Sequence, residues 1–225
     1  MSRLLELSEI KEKEFPVQQV RDLTNSAYVL RFNKNEMKFK PGQYITLGLE
    51  GDTEVREYSV YSPDNVDYLE VLIKEVSNGR VSRQLRNCNQ GDKLKFEGPF
   101  GYFTIDKEDI YTKKFLFVAT GTGISPFHSI VGSYSGLDYT IIHGVRYGNE
   151  AYESETYDSS RYTLCTSRDN KGHFYGRVTD YLLQNEFDKK SLVYICGNSH
   201  MIDEVFKILE TQGFETNQFH AEVYF

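Results

Sequence analysis

The feature that most constrains this chain is a change of pattern near residue 110. Up to about residue 105, short stretches alternate apolar and polar residues: "AYVLRF", "QYITLGL", "REYSVYS", "YLEVLIKEV" and "KLKFEG". Turn-rich segments such as "NKN", "EGD", "SPDN" and "NQGD" separate them. Period-two alternation buries one face of each stretch, and many short strands joined by turns build an antiparallel barrel. One helical interruption is predicted over 79–87, in "GRVSRQLRN". From about residue 113, apolar runs ("FLFVAT", "YTIIHGV", "YTLCTS", "LVYIC") alternate with helical candidates ("SPFHSIVGSY", "GRVTDYLLQ", "SHMIDEVFKILETQG"). Strands followed by helices imply a parallel sheet with crossovers. The polar link "DKEDIYTKK" divides the patterns, so two domains are expected, 1–109 and 110–225, each large enough for its own core.

Composition then removes several function classes. The formal charge of −7 argues against nonspecific nucleic-acid binding, which needs a basic surface. Residues 1–108 carry 16 basic and 18 acidic side chains and residues 109–225 carry 10 and 15, so the acidity sits mainly in the second half. No apolar run reaches the length of a membrane helix, and "MSRLLELSEIKEKEF" is too charged for a signal peptide; a cytoplasmic, monomeric protein is expected. The cysteines Cys88, Cys165 and Cys196 show neither a CxxC nor a metal spacing, so reduced thiols and no metal site are expected. The 17 tyrosines, with no tryptophan, offer many flat faces with a polar tip, which suit flat ligands as well as cores.

"VATGTGISPF" places Gly121, Thr122 and Gly123 directly after an apolar strand and Pro126 inside the first turn of a helix. Glycines let a backbone approach a pyrophosphate, a helix start offers free N–H groups, and proline costs no hydrogen bond there. The usual dinucleotide fingerprint has a third Gly or Ala where this chain has Pro126, so the ordinary dinucleotide fold is not expected. Arg146 stands where NAD sites often place an acid, and Ser167, Arg168 and Arg177 follow at strand ends. Guanidinium groups with a hydroxyl suit a phosphate ester better than a bare ribose, which favours NADP over NAD. In the first half, "REYS" sends Arg56 and Tyr58 to one face of a strand and Ser59 to the other, a cation and a ring for one flavin nucleotide. A plain barrel strand has the same pattern. Gly79 and Ser82 begin the inserted helix and give a second phosphate-ready N-terminus. A helix over 199–211 is predicted, capped by Asn198 or Ser199 and stopped at Gly213, which puts "CGN" in the turn before it. The chain ends in "HAEVYF", where an acid precedes two rings: either a core plug or a cover for something flat.

Taken in order, "FKPGQYITLGL", "REYSVYSP", "GRVSRQL", "GDKLKFEGPFGYF", "GTGISPF", "HGVRY", "TSR", "YGRV", "CGN" and the aromatic ending resemble the ferredoxin/flavodoxin-NADP reductase family, in particular its bacterial flavodoxin-reductase branch. The resemblance covers nearly the whole chain. It implies a six-stranded antiparallel FAD barrel followed by a five-stranded parallel NADP domain, with nicotinamide meeting flavin between them. It further implies that Arg56 holds FAD phosphate, Tyr58 stacks on the isoalloxazine, Ser59 lies near flavin N5, and Gly79, Arg80, Val81 and Ser82 cradle the FAD pyrophosphate. Gly121, Thr122, Gly123 and Pro126 would take the NADP pyrophosphate, and Arg146, Ser167, Arg168 and Arg177 the 2'-phosphate. Cys196, with Gly197 and Asn198, would sit beside the nicotinamide, and Glu222 would position it or relay a proton. Either Tyr224 or Phe225 would cover the flavin. The implied partner is an acidic ferredoxin or flavodoxin, for which Arg80, Arg83 and Arg86, with Lys38 and Lys40, form a candidate basic face. A free-flavin reductase and an electron-transfer subunit of a larger complex are the competing readings.

Overall fold

The computed structural model describes residues 15–224. Six strands form the first sheet: β1 (Phe15–Asp22), β2 (Ala27–Asn33), β3 (Tyr44–Leu49), β4 (Arg56–Ser59), β5 (Tyr68–Lys74) and β6 (Lys93–Phe100). Their order is β4-β3-β6-β1-β2-β5 with antiparallel neighbours, and a bridge between Val60 and Val71 closes the ends of the order into a barrel. Alternation decides what goes inside: Ile45 and Leu47 of β3 are fully buried while the alternating Tyr44 and Thr46 are not. Helix α1 (Arg80–Arg86) follows β5 and buries Val81 and Leu85 against the barrel, one residue shorter at each end than expected.

The second sheet holds β7 (Lys114–Thr120), β8 (Asp138–Val145), β9 (Tyr162–Thr166), β10 (Phe174–Tyr175), β11 (Leu192–Gly197) and β12 (Phe219–Val223). All neighbours in the order β10-β9-β8-β7-β11-β12 are parallel. The five expected strands are joined by a sixth of two residues, β10, which the sequence pattern is too short to signal. Helix α2 (Ser125–Ser133) covers one face, and α3 (Val178–Gln184) and α4 (Ser199–Thr211) cover the other. Asn198 caps α4, its side chain accepting from the N–H groups of His200 and Met201, and Gly213 at φ +96° allows the turn that ends it. No helix among the described residues is long and apolar enough to cross a membrane.

The two sheets do not have separate cores throughout. Strand β2 is buried on both faces because Tyr28, Leu30 and Phe32 fill the barrel, whereas Ala27 and Val29 pack outward in one cluster with Phe117, Phe127 and Ile130. The link between the sheets is anchored in that cluster by Phe103, Ile105 and Ile110. The carboxyl ends of β7 and β11, adjacent strands on either side of the change in strand order, therefore open toward the edge of the barrel. Such a crevice is where open parallel sheets bind ligands.

Candidate functional site

The turn after β7 and the turn after β11 interlock. A Cβ on Gly123 would lie 2.3 Å from the Cys196 carbonyl oxygen, and one on Gly197 would lie 2.2 Å from Thr120 Oγ1, so both positions need glycine for close approach. Gly121, at φ +55°, has no atom within 4 Å of where a Cβ would stand and faces open space. Gly123 and Pro126 are buried, so they shape the turn, while Gly121 and Thr122 line the cavity beside it.

That cavity holds about 650 Å³. Arg146, Ser167 and Arg177 line it, as do Gly197 and Asn198. Arg168 is exposed on the adjoining turn, its N–H bonded to the Arg146 carbonyl, but it is not part of the cavity wall. Two neighbouring acids, Glu150 and Asp180, are occupied with backbone. Glu150 Oε2 accepts from the N–H groups of Arg146 (3.0 Å) and Tyr147 (3.1 Å), and Asp180 accepts from the N–H of Arg177 (2.8 Å). Among the described residues, no carboxylate pairs with the guanidinium of Arg146, Arg168 or Arg177. Cations left without a carboxylate at and beside the cavity fit the multiply charged phosphates of a dinucleotide.

At the inner end of the cavity the barrel meets the last strand. Ser59 Oγ donates to Glu222 Oε1 at 2.7 Å, joining β4 to β12. Cys196 pairs in register with Glu222, and the Tyr224 N–H donates to the Gly197 carbonyl at 2.8 Å. Burial raises the pKa of Glu222, an effect that the hydrogen bond from Ser59 opposes and the charge of Glu57 reinforces. The Cys196 thiol is fully buried, which pushes its pKa well up and keeps it protonated. Ser59, Ser125 and Cys196 surround the Tyr224 hydroxyl, which is buried and makes no well-formed hydrogen bond among the described residues. Tyr224 thus lies between the cavity and the apolar cluster. Phe225 lies outside the described residues.

On the barrel side, the Arg56 side chain is 60% exposed; it donates to the Val55 carbonyl at 2.8 Å and makes a loose 3.6 Å contact to Glu54. Tyr58 is half-buried against the barrel core, and burial pushes its hydroxyl up to about 12. Gly79 precedes α1 with no side-chain cap and no acid in the first turn, which leaves that helix start open to an anion. The side chains of Val81 and Ser82 point inward instead; Ser82 Oγ accepts from the Val76 N–H, and the Ser82 carbonyl accepts from the Tyr28 hydroxyl. The cradle expected over 79–82 can therefore offer backbone there, not the Ser82 hydroxyl. The expected stripe of Arg80, Arg83 and Arg86 is not a free basic face. Arg80 pairs with Asp52 at 2.8 Å, and Arg86 pairs with Asp22 (2.8 Å) and Glu75 (3.0 Å), while Arg83 is exposed and makes no ion pair among the described residues; helical spacing located the cations but not these partners from other segments.

The sequence singled out none of three further residues of the site. Lys74 at the end of β5 reaches across the seam to Glu150 Oε1 at 3.4 Å and lines the cavity. Glu150 is one turn beyond Arg146, and an acid at that spacing after a strand was the available signal. His143, in "HGVRY", is wholly buried under the turn after β7.

Comparison with known proteins agrees with this layout. Residues 14–105 match the oxidoreductase FAD-binding domain and residues 117–207 the oxidoreductase NAD-binding domain. The chain is 29% identical to the flavodoxin/ferredoxin-NADP reductase of Buchnera aphidicola subsp. Schizaphis graminum, over 86% of this chain and 88% of that one. It is 30% identical to the ferredoxin-NADP reductase of Azotobacter vinelandii, over 79% of this chain and 80% of that one. The solved ferredoxin NADP+ reductase from Neisseria gonorrhoeae has the same fold, with a TM-score of 0.82 at 22% identity, covering 95% of this chain and 98% of that one. Reductase and electron-transfer components of oxygenases also match, and this chain spans only 55% to 66% of their length. The chain belongs to the ferredoxin-NADP reductase family, as an oxidoreductase with one FAD-binding and one NAD(P)-binding domain.

Proposed function

We propose that this protein exchanges electrons between NADPH and a one-electron carrier of the ferredoxin or flavodoxin type through bound FAD, with residues 1–109 holding the flavin and 110–225 the nicotinamide nucleotide. The observation that carries the reading is the 2.7 Å hydrogen bond between Ser59 and Glu222, which makes a single site of the barrel edge, Cys196 and Tyr224. Arg56, Tyr58 and the backbone at Gly79–Arg80 hold the flavin nucleotide, and Arg146, Ser167, Arg168 and Arg177 select the 2'-phosphate of NADP. The flavin supplies hydride exchange with the nicotinamide and one-electron exchange with the carrier. The protein's part is position and exclusion of water. Tyr224 occupies the place a nicotinamide must reach, Cys196 packs as a neutral thiol beside it, and the Ser59–Glu222 pair holds or moves a proton at Ser59 Oγ.

The oxygenase-component relatives support a second reading, in which the electron acceptor is an oxygenase or its ferredoxin. The first experiment is the visible spectrum of extensively desalted protein, followed by identification of any released flavin and stopped-flow reduction with NADPH and with NADH. Retained FAD reduced faster by NADPH, and reoxidised by a ferredoxin or flavodoxin, is expected. A colourless protein that oxidises NADPH only with added flavin would turn the reading toward a free-flavin reductase. Rapid reoxidation by an oxygenase system alone would favour the second reading.

A further inference from the structure

His143 is carried by β8 directly beneath the turn that follows β7, and its ring is wholly buried. Its two nitrogens have different partners: Nε2 is 2.9 Å from the Gly121 carbonyl oxygen, and Nδ1 is 2.8 Å from the Tyr162 hydroxyl. A carbonyl can only accept, so Nε2 carries the proton and donates it, and Nδ1 is left to accept from the Tyr162 O–H. Burial lowers the pKa of the ring to about 4, so it stays neutral near pH 7 and this pattern of donors persists.

A trans peptide group is planar, with its carbonyl and its N–H on opposite sides. Drawing the Gly121 carbonyl down onto His143 therefore turns the N–H of Thr122 outward, toward the cavity that Gly121 and Thr122 line. The other restraint on that peptide is the short 3-10 turn Gly121–Ile124, whose i→i+3 hydrogen-bond geometry is poor. Glycine occupies φ above or below zero with similar ease, Gly121 stands at φ +55° with no atom within 4 Å of a Cβ position, and Thr120 supplies no side-chain cap. We propose that His143 is a positioning residue, which locks the Gly121–Thr122 peptide so that its N–H meets the pyrophosphate of the bound nicotinamide dinucleotide. The inference rests on the NADP reading above. Tyr162 acts one step further back by fixing the tautomer.

The test compares two probes on the holoprotein. NADP+ carries the pyrophosphate, whereas adenosine 2'-monophosphate carries the 2'-phosphate without it. For His143→Leu, the dissociation constant of NADP+ should rise roughly tenfold while that of adenosine 2'-monophosphate stays within about twofold. His143→Gln, whose amide can replace the Nε2 donor, should recover most of the loss, and His143→Asn, which is too short to reach Gly121, should not. Unchanged NADP+ binding in His143→Leu would overturn the proposal. An equal loss for both probes would also overturn it, because it would mark a general packing defect. Wild-type protein that binds neither probe would remove the NADP reading itself and the inference with it, an outcome separate from the other two.

Discussion

Glu222 is a carboxyl group taken into the seam between two sheets, where Ser59 donates to one oxygen and burial raises its pKa. An unfolded glutamate titrates near about 4.3. Between that value and the higher folded value, the folded protein binds more protons than the unfolded one, so stability falls as pH rises; above the folded value the whole cost is present. Glu222→Gln keeps an acceptor for Ser59 and removes the charge. Its melting temperature should exceed that of the wild type at pH 8, and the gap should close toward pH 4, while hydride transfer from NADPH slows. An equal offset at both pH values would contradict a buried, charge-penalised carboxylate. Which acid occupies this place was readable from the ending "HAEVYF"; its bond to Ser59 joins residues 163 positions apart and was not.

At the level of elements, the site depends on two turns at the ends of β7 and β11. The Asn198 cap accepts two N–H groups of α4, and its loss in Asn198→Ala should cost about 1 kcal/mol in urea unfolding. Gly123→Ala is expected to cost more, roughly 1–3 kcal/mol, because the added Cβ meets the Cys196 carbonyl rather than a side chain that can move aside. A Gly123→Ala protein that melts like the wild type would show that the two turns do not pack as described. The helices over 125–133, 178–184 and 199–211 were legible from periodicity, proline, glycine and capping residues. The two-residue β10 and the short 3-10 turns at Gly148–Glu150 and Ser154–Thr156 were not, because segments of two or three residues carry no period.

Across the whole molecule, the barrel and the parallel sheet share one apolar cluster, which runs from Ala27, Val29 and Leu72 to Phe117 and Phe127. Polar ties reinforce it: Lys74 to Glu150, Arg21 to Glu153 at 2.6 Å, and Ser129 Oγ to the Ser62 carbonyl at 2.7 Å. Surface ion pairs add little to stability, so the cluster is the main coupling. The two domains should therefore unfold in one calorimetric transition. Val29→Ala, which removes roughly 1–2 kcal/mol of burial, should lower the melting of both together. Two separate transitions, with only the barrel transition shifted, would show that the sheets are independent.

What the sequence by itself determined is local: alternation and turns made the first half a barrel, continuous apolar runs made the second a parallel sheet, and glycines, capping residues and strand-end arginines marked its loops. These signals span a few residues, and elementary backbone geometry suffices to interpret them. Only the tertiary structure decided which polar groups are free. Helical spacing assigned Arg80, Arg83 and Arg86 to an open basic face, but Asp52, Asp22 and Glu75 from other segments claim Arg80 and Arg86, whereas Arg146, Arg168 and Arg177 are left without a carboxylate among the described residues. Burial, likewise, gives Glu222 and His143 their altered proton affinities, because desolvation is set by neighbours that the chain brings in from far along its length.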